Sequence, residues 1–207
     1  MTPCTGNCVA FRARRDLSRG MTSEEALQIF RETGALLNGH FVLRSGLHSR
    51  EFFQCALALQ QMPIVERLGQ AIADQARELG ATTVVAPAMG GLVIGQEIAR
   101  QLGLRFIFVE KEQGKLVLRR GFKLGQEEKV LITEDVVTKG GRVQETIDIV
   151  EATDASIVGI TVLVDRSGGN LQFKYPLKSL IRMNVETFSP DALPEDLRDT
   201  PAIKPGS

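Results

Sequence analysis

Apolar and polar positions along the chain switch between helical and strand-like periods, and the switches divide it into elements. In MTSEEALQIFRETGALLNG, Thr22 or Ser23 is placed to cap a helix, acids follow in the first turn, Ala26, Leu27 and Phe30 share a face, and Gly34 is a stop. HFVLRSGLHSREFFQCALALQ sets two short strand-like runs either side of Ser45 and Gly46, the pattern of a hairpin lying over the domain. Over 63–79, Ile64, Leu68, Ile72 and Ala76 recur at helical spacing and Gly80 closes the run. TTVVAPAMGG followed by LVIGQEIARQLG reads as strand, glycine turn and helix, half of a βαβ unit. LRFIFVEK is an apolar strand, KLVLRRGFKLG a charged hairpin-like excursion, and KVLIT a third strand. GRVQETIDIVEAT is a helix with Val143, Ile147 and Val150 on one face. SIVGITVLVDRSGG supplies a fourth strand, near-continuously apolar, as a strand covered on both faces should be.

Strands alternating with helices predict an α/β fold, a central mainly parallel sheet flanked by helices. Ligands of such sheets sit beyond the carboxyl ends of the strands, which places 86–91, 134–142 and 165–169 along one edge.

Composition narrows the picture. A chain of 207 residues, 43% hydrophobic and 24% charged, suits one substantial core with appendages. Lys plus Arg equal Asp plus Glu at 25 each, so no whole-chain field points to nucleic acid or a membrane surface, and any basic site must be local. No apolar run approaches the roughly 18 residues of a membrane span, and a soluble, cytoplasmic protein is expected. Three cysteines are too few for a disulfide framework. Cys4 and Cys8 lack a second ligand pair, with His40 and His48 far along the chain, so no metal site is expected from protein ligands alone. The first twenty residues are Arg-rich and lack periodicity, which suggests a flexible leader, with a transit peptide as the competing account.

The run 129–146, KVLITEDVVTKGGRVQET, carries the most chemistry. Thr138, Lys139, Gly140, Gly141 and Arg142 connect a strand to a helix, so backbone N–H groups at the helix start, approached closely over glycine, form a cradle for a phosphate. The spacing excludes a Walker A loop. Glu134 and Asp135 stand just before the cradle, at the lip of the strand, with the wrong sign for phosphate; as acceptors they suit hydroxyl donors, which points to a phosphorylated sugar.

EDVVTKGG preceded by VLIT resembles the signature of the type I phosphoribosyltransferases, whose Thr/Gly-rich loop holds the 5-phosphate of 5-phosphoribosyl 1-diphosphate (PRPP). TGALLNGHFVLRSGLHSREFF, APAMGGLVIG, LVDRSGG, FVEKEQGKLVLRRGF and the closing KPGS together resemble the orotate phosphoribosyltransferase branch of that family. The resemblance implies that 134–142, including Val136 and Val137, binds PRPP with Arg44 and Lys111, and that Thr138, Arg166, Phe52 and Phe53 border orotate. It implies a single domain over 21–207, with a small N-terminal hood to about 60, a core of about 61–185 and a C-terminal tail of about 186–207.

The family's longer, His-containing loop is replaced here by 110–120, so Lys111 matches by position while Lys115 is a candidate catalytic residue beside it and Asp135. Gly90 stands where a basic residue is often found, and Lys139 and Arg142 where small residues are. Orotate would attack C1 of the ribose as Mg2+-bound diphosphate leaves through an oxocarbenium-like transition state, so the protein's work is positioning and neutralising a departing polyanion. Arg119 and Arg120 are further candidate clamps, or coat an exposed hairpin; Arg166 either meets a carboxylate or pairs with Asp165; of the consecutive Phe52 and Phe53 at least one belongs to the core. The family implies a homodimer in which Lys115 or Lys111 reaches the partner's PRPP. A purine-type phosphoribosyltransferase and a non-catalytic PRPP-binding regulator are the competing classes.

Overall fold

The computed structural model describes residues 20–43 and 45–205; the expected leader with Cys4 and Cys8, Arg44 and the last two residues lie outside the described residues. Helix α1 (Ser23–Glu32) starts from Thr22, whose hydroxyl accepts from the Glu25 N–H while the Glu25 carboxylate accepts from the Thr22 N–H. Its buried face is Ala26, Ile29 and Phe30, with Leu27 only partly covered. Strands β1 (Leu36–Val42) and β2 (His48–Phe53) form the expected antiparallel hairpin. A five-residue helix α2 (Cys55–Leu59) follows, too short to show a period. Helix α3 (Met62–Ala76) tightens into a 3-10 turn and stops at Gly80, whose φ of 64° is a left-handed cap that glycine adopts without a Cβ clash.

The chain then runs β3 (Thr83–Pro87), α4 (Gly90–Leu102), β4 (Arg105–Glu112), β5 (Lys115–Leu118), β6 (Lys129–Val137), α5 (Gly141–Glu151), β7 (Ser156–Asp165) and β8 (Leu177–Arg182). The strands form a six-stranded sheet in the order β5-β4-β3-β6-β7-β8, parallel except for the β4/β5 pair. Side chains alternate across it: Leu131 packs in the core beneath α1, α3 and α4, whereas Val130 and Ile132 pack with Val143, Ile147 and Val150 of α5 on the other face. Covering both faces explains why β6 and β7 are so apolar.

Three features were not legible in the pattern. The KVLIT strand does not end before the acids. β6 continues to Val137, paired with β7 as far as Val137↔Asp165, because the long β7 run gives it a partner along that length. Beyond β7, LKSLIR forms the edge strand β8, in which only Leu180 and Ile181 are buried. Finally β9 (Thr187–Phe188) adds to β2, so the N-terminal hairpin is a three-stranded sheet, β1-β2-β9, and α6 (Glu195–Arg198) follows it.

Candidate active site

A cavity of about 950 Å³ opens at the carboxyl ends of β3, β6 and β7, under the β1-β2 hairpin. One wall is a single stretch of chain. Glu134, Asp135, Val136, Val137, Thr138, Lys139, Gly140, Gly141 and Arg142 all line it, so the cradle and the acids before it share one space. Gly140 has a φ of 76°, and a Cβ there would come within 2.8 Å of the Phe173 ring. Only glycine can turn the chain at this point and start α5 so close to the loop after β7. The first N–H groups of α5 have no partner within the helix and suit an oxyanion.

Because β6 runs through the acids, Glu134 is 3% exposed and sits within the strand, while Asp135 is half-buried beside it. The Glu134 Oε1 accepts from the Asp135 N–H at 3.2 Å, and the Asp135 Oδ1 accepts from the Val136 N–H at 2.7 Å. Burial first, and then the neighbouring Asp135 charge, pushes the Glu134 carboxyl well above the usual carboxylate range. Burial also raises Asp135. Two adjacent carboxyls held this way oppose full ionisation and bind hydroxyl donors or positive charge well.

The opposite lip is the turn before α4. A Cβ on Gly90 would stand 2.7 Å from the Asp135 Oδ1, and one on Gly91 2.7 Å from the Thr133 carbonyl. Glycine at both positions therefore lets α4 start against β6 and leaves Asp135 its place. Arg142 ties the two loops together by donating to the Ala88 carbonyl at 3.1 Å.

The facing side of the cavity is built differently. Arg166, 7% exposed, projects under the hairpin, where its Nη2 donates to the Glu51 carbonyl at 3.1 Å and its guanidinium lies 5.7 Å from the Phe53 ring centroid. The alternative pairing with Asp165 is not made, since the Asp165 Oδ1 accepts from the Ser167 N–H. The Arg166 Nε is buried with no hydrogen-bond partner, a cost that a bound anion would remove. Phe53 is 3% exposed against Phe30, and Phe52, on the other face, packs its ring 5.8 Å from Phe41; both reach the cavity wall. Gln54 and Cys55 join them. Burial, followed by the Asp135 and Glu134 charges, pushes the Cys55 thiol well up, which keeps it protonated and unreactive.

The basic excursion is an ordered hairpin instead of a loop. Gln113 and Gly114 both have positive φ, the signature of a tight two-residue turn, and β4 pairs β5 from Val109↔Leu118 to Glu112↔Lys115. The turn divides the two candidate lysines: Lys111 lines the cavity, whereas Lys115, beyond the turn, is not among its described lining residues. Arg120 pairs with Glu110 at 2.9 Å and Arg119 with Glu112 at 3.2 Å, so both coat the hairpin instead of clamping a ligand in this cavity. Arg44 lies outside the described residues. The tail contributes two wall residues that periodicity gave no reason to single out, Lys204 and Pro205.

Residues 56–193 match the phosphoribosyl transferase domain model. The orotate phosphoribosyltransferase of Desulforamulus reducens is 46% identical over 187 residues, covering 90% of this chain and 98% of that one. Among solved structures, the Aeropyrum pernix orotate phosphoribosyltransferase superposes with a TM-score of 0.64 at 23% identity, covering 75% of this chain and 92% of that one. The adenine phosphoribosyltransferase of Thermoanaerobacter pseudethanolicus gives 0.56 at 18%, covering 64% and 88%, so the fold alone does not select the base. With identity at this level along nearly its whole length, and a cavity whose phosphate cradle and acids fall where the fold requires them, the chain belongs to the orotate phosphoribosyltransferase family.

Proposed function

We propose that this chain transfers the 5-phosphoribosyl group of PRPP to orotate, giving orotidine 5-phosphate and diphosphate in pyrimidine biosynthesis. The observation that carries the reading is the pairing, in one cavity, of a buried Glu134 and a half-buried Asp135 next to a glycine cradle with an Arg166 whose Nε is buried with no hydrogen-bond partner. The cradle at 138–142 takes the 5-phosphate, and Glu134 and Asp135 accept from the ribose hydroxyls. Arg166 meets the carboxylate of orotate with directional, charge-assisted bonds, and Phe52 and Phe53 border the ring. A purine has no carboxylate to offer Arg166, which is why orotate is preferred over adenine. Lys111, at the end of β4, faces the departing diphosphate.

Among the described residues no group of three or more His, Cys, Asp and Glu side chains could hold a metal ion by itself. The donors present suit Mg2+ carried in on the substrate, since Mg2+ keeps waters and binds through substrate phosphates with one or two carboxylates at most. It would be held by the diphosphate and by the ribose hydroxyls that Glu134 and Asp135 orient, and would supply charge neutralisation to the leaving group.

The active form is proposed to be a cytoplasmic homodimer in which Lys115, outside its own cavity wall, serves the partner's PRPP. The decisive experiment mixes the protein, Mg2+ and PRPP with orotate, uracil, adenine or hypoxanthine in separate reactions. Consumption of orotate with release of diphosphate is expected; consumption of a purine would overturn the assignment, and inertness with every base would favour a PRPP-binding regulator.

A further inference from the structure

The segment 196–205 is held in place by a series of side-chain and backbone contacts to the β1-β2 hairpin. Asp196 accepts two hydrogen bonds from Arg50, Nε to Oδ2 at 2.7 Å and Nη2 to Oδ1 at 2.8 Å, and Leu197 is 3% exposed. His40, itself buried on β1, bonds the Thr200 carbonyl through Nδ1 at 2.7 Å and meets the His48 Nδ1 through Nε2. A carbonyl only accepts, so the His40 Nδ1 carries the proton and its Nε2 accepts from His48, a single arrangement that fixes both rings. Three residues later Ile203 bridges Phe41 in parallel: its N–H donates to the His40 carbonyl, and its own carbonyl accepts from the Val42 N–H, each at 2.8 Å.

Ile203 does not explain this anchoring by its own burial, because 58% of it is exposed. What the anchors accomplish is to deliver the next two residues, Lys204 and Pro205, to the cavity wall. Their position within the wall is set by the strand they follow. Val42 and Leu43, directly after the Ile203 bridge, line the same cavity, and Phe41 on that strand stacks with Phe52 of β2. Lys204 therefore enters from the β1 side of the hairpin, and Arg166 is bound to the β2 side through the Glu51 carbonyl. The phosphate cradle belongs to a separate stretch, between β6 and α5.

We infer that Lys204 is a second cation for the acceptor, working beside Arg166 on the carboxylate that distinguishes orotate from uncharged pyrimidines. A carboxylate offers about four acceptor directions, more than the two that one guanidinium fills from a single side, and a lysine ammonium approaching from the other strand supplies further donors. The inference rests on the proposed activity and adds to it a specificity residue contributed by the C-terminal segment.

Steady-state kinetics of the full chain with Lys204→Ala and Lys204→Arg test it. Lys204→Ala is expected to raise the KM for orotate by about tenfold, the weight of one charge-assisted hydrogen bond, with the KM for PRPP within about twofold of wild type. Lys204→Arg should recover most of the loss, as a purely structural contact would not. Lys204 is exposed at the cavity wall, so both variants should stay folded at assay temperature, as their thermal midpoints will report. An unchanged orotate KM, an equal or larger rise in the PRPP KM, or no recovery with Arg would overturn the role of Lys204. A wild-type chain inert with orotate would overturn the activity itself, and that result is visible before any variant is made.

Discussion

The wall from Glu134 to Arg142 is one unbroken strand, turn and helix start, whereas the wall facing it is gathered from β1, β2, the residue after β7 and the C-terminal segment. In the second wall His40 holds Thr200, 160 positions away, and Arg166 holds Glu51, 115 positions away. The contrast separates two kinds of chemistry. A phosphorylated sugar is held by backbone N–H groups and adjacent acids, which a local motif can supply. Recognition of one base needs cations and rings at set distances around it, which only tertiary structure can assemble. Damage to the first wall should therefore abolish use of the donor, and damage to the second should change the response to the acceptor.

The largest effect is expected from Asp135→Asn, which leaves the shape of the site intact but removes the carboxylate proposed to accept from a ribose hydroxyl. The kcat/KM for PRPP should fall on the order of 100-fold with the fold retained, read by steady-state kinetics and circular dichroism. A folded variant with unchanged PRPP kinetics would break the local-motif account of this wall.

Part of that loss should be reversible by mixing. Lys111 lines its own cavity and Lys115 does not, so an Asp135→Asn chain still offers an intact Lys115 to a partner. Co-refolded with Lys115→Ala chains, half of the dimers are mixed and each carries one complete site, which should return roughly a quarter of wild-type activity. Tagged pull-down establishes that the mixed dimers form; if they form and stay inactive, Lys115 does not act across the interface.

On the assembled wall, Arg166→Ala should raise the KM for orotate by roughly 10- to 50-fold, with a much smaller effect on PRPP. Equal losses for both substrates would mean that Arg166 chiefly supports the hairpin through Glu51 and Phe53.

The same division governs what the sequence reveals. The sheet, its helices and the 134–142 motif were legible because each depends on neighbours in sequence: apolar periods, a Gly80 stop, a Gly140 turn. Even there the extent of β6 was not, since only the length of its β7 partner decides that Glu134 and Asp135 lie inside a strand. β9 is two residues long and β8 is a half-exposed edge strand, so neither carries a period strong enough to read. Lys111 and Lys115 look equivalent in FVEKEQGKLVL and are separated only by the two-residue turn. Lys204 lies in the closing KPGS, whose resemblance marks the family, but no apolar period there places it at the cavity. Its place depends on a histidine pair and a one-residue bridge made by strands far upstream.

The smallest effect sharpens the contrast from the side of stability. Glu134 is buried beside Asp135, and its carboxyl is raised by that burial and by its neighbour's charge. Just above the ordinary carboxylate range the unfolded chain has released a proton that the folded chain still holds, so stability falls as pH rises from that range through the raised value, and is flat beyond it. The first wall thus costs stability at neutral pH in exchange for its acids, whereas the elements that carry the second are braced at the surface, where Arg50 of β2 pairs with Asp196 and Glu186. Glu134→Gln keeps the volume and the oxygen that accepts from the Asp135 N–H. It should stabilise the chain at neutral pH by roughly 1 kcal/mol, the usual gain when a functional compromise is relieved, and flatten the fall in thermal midpoint with rising pH. Melts of wild type and variant from mildly acidic to alkaline pH test this. Curves that stay parallel would mean that the folded chain holds no extra proton at Glu134, and that the acids of the local wall are solvated as freely as those of the surface.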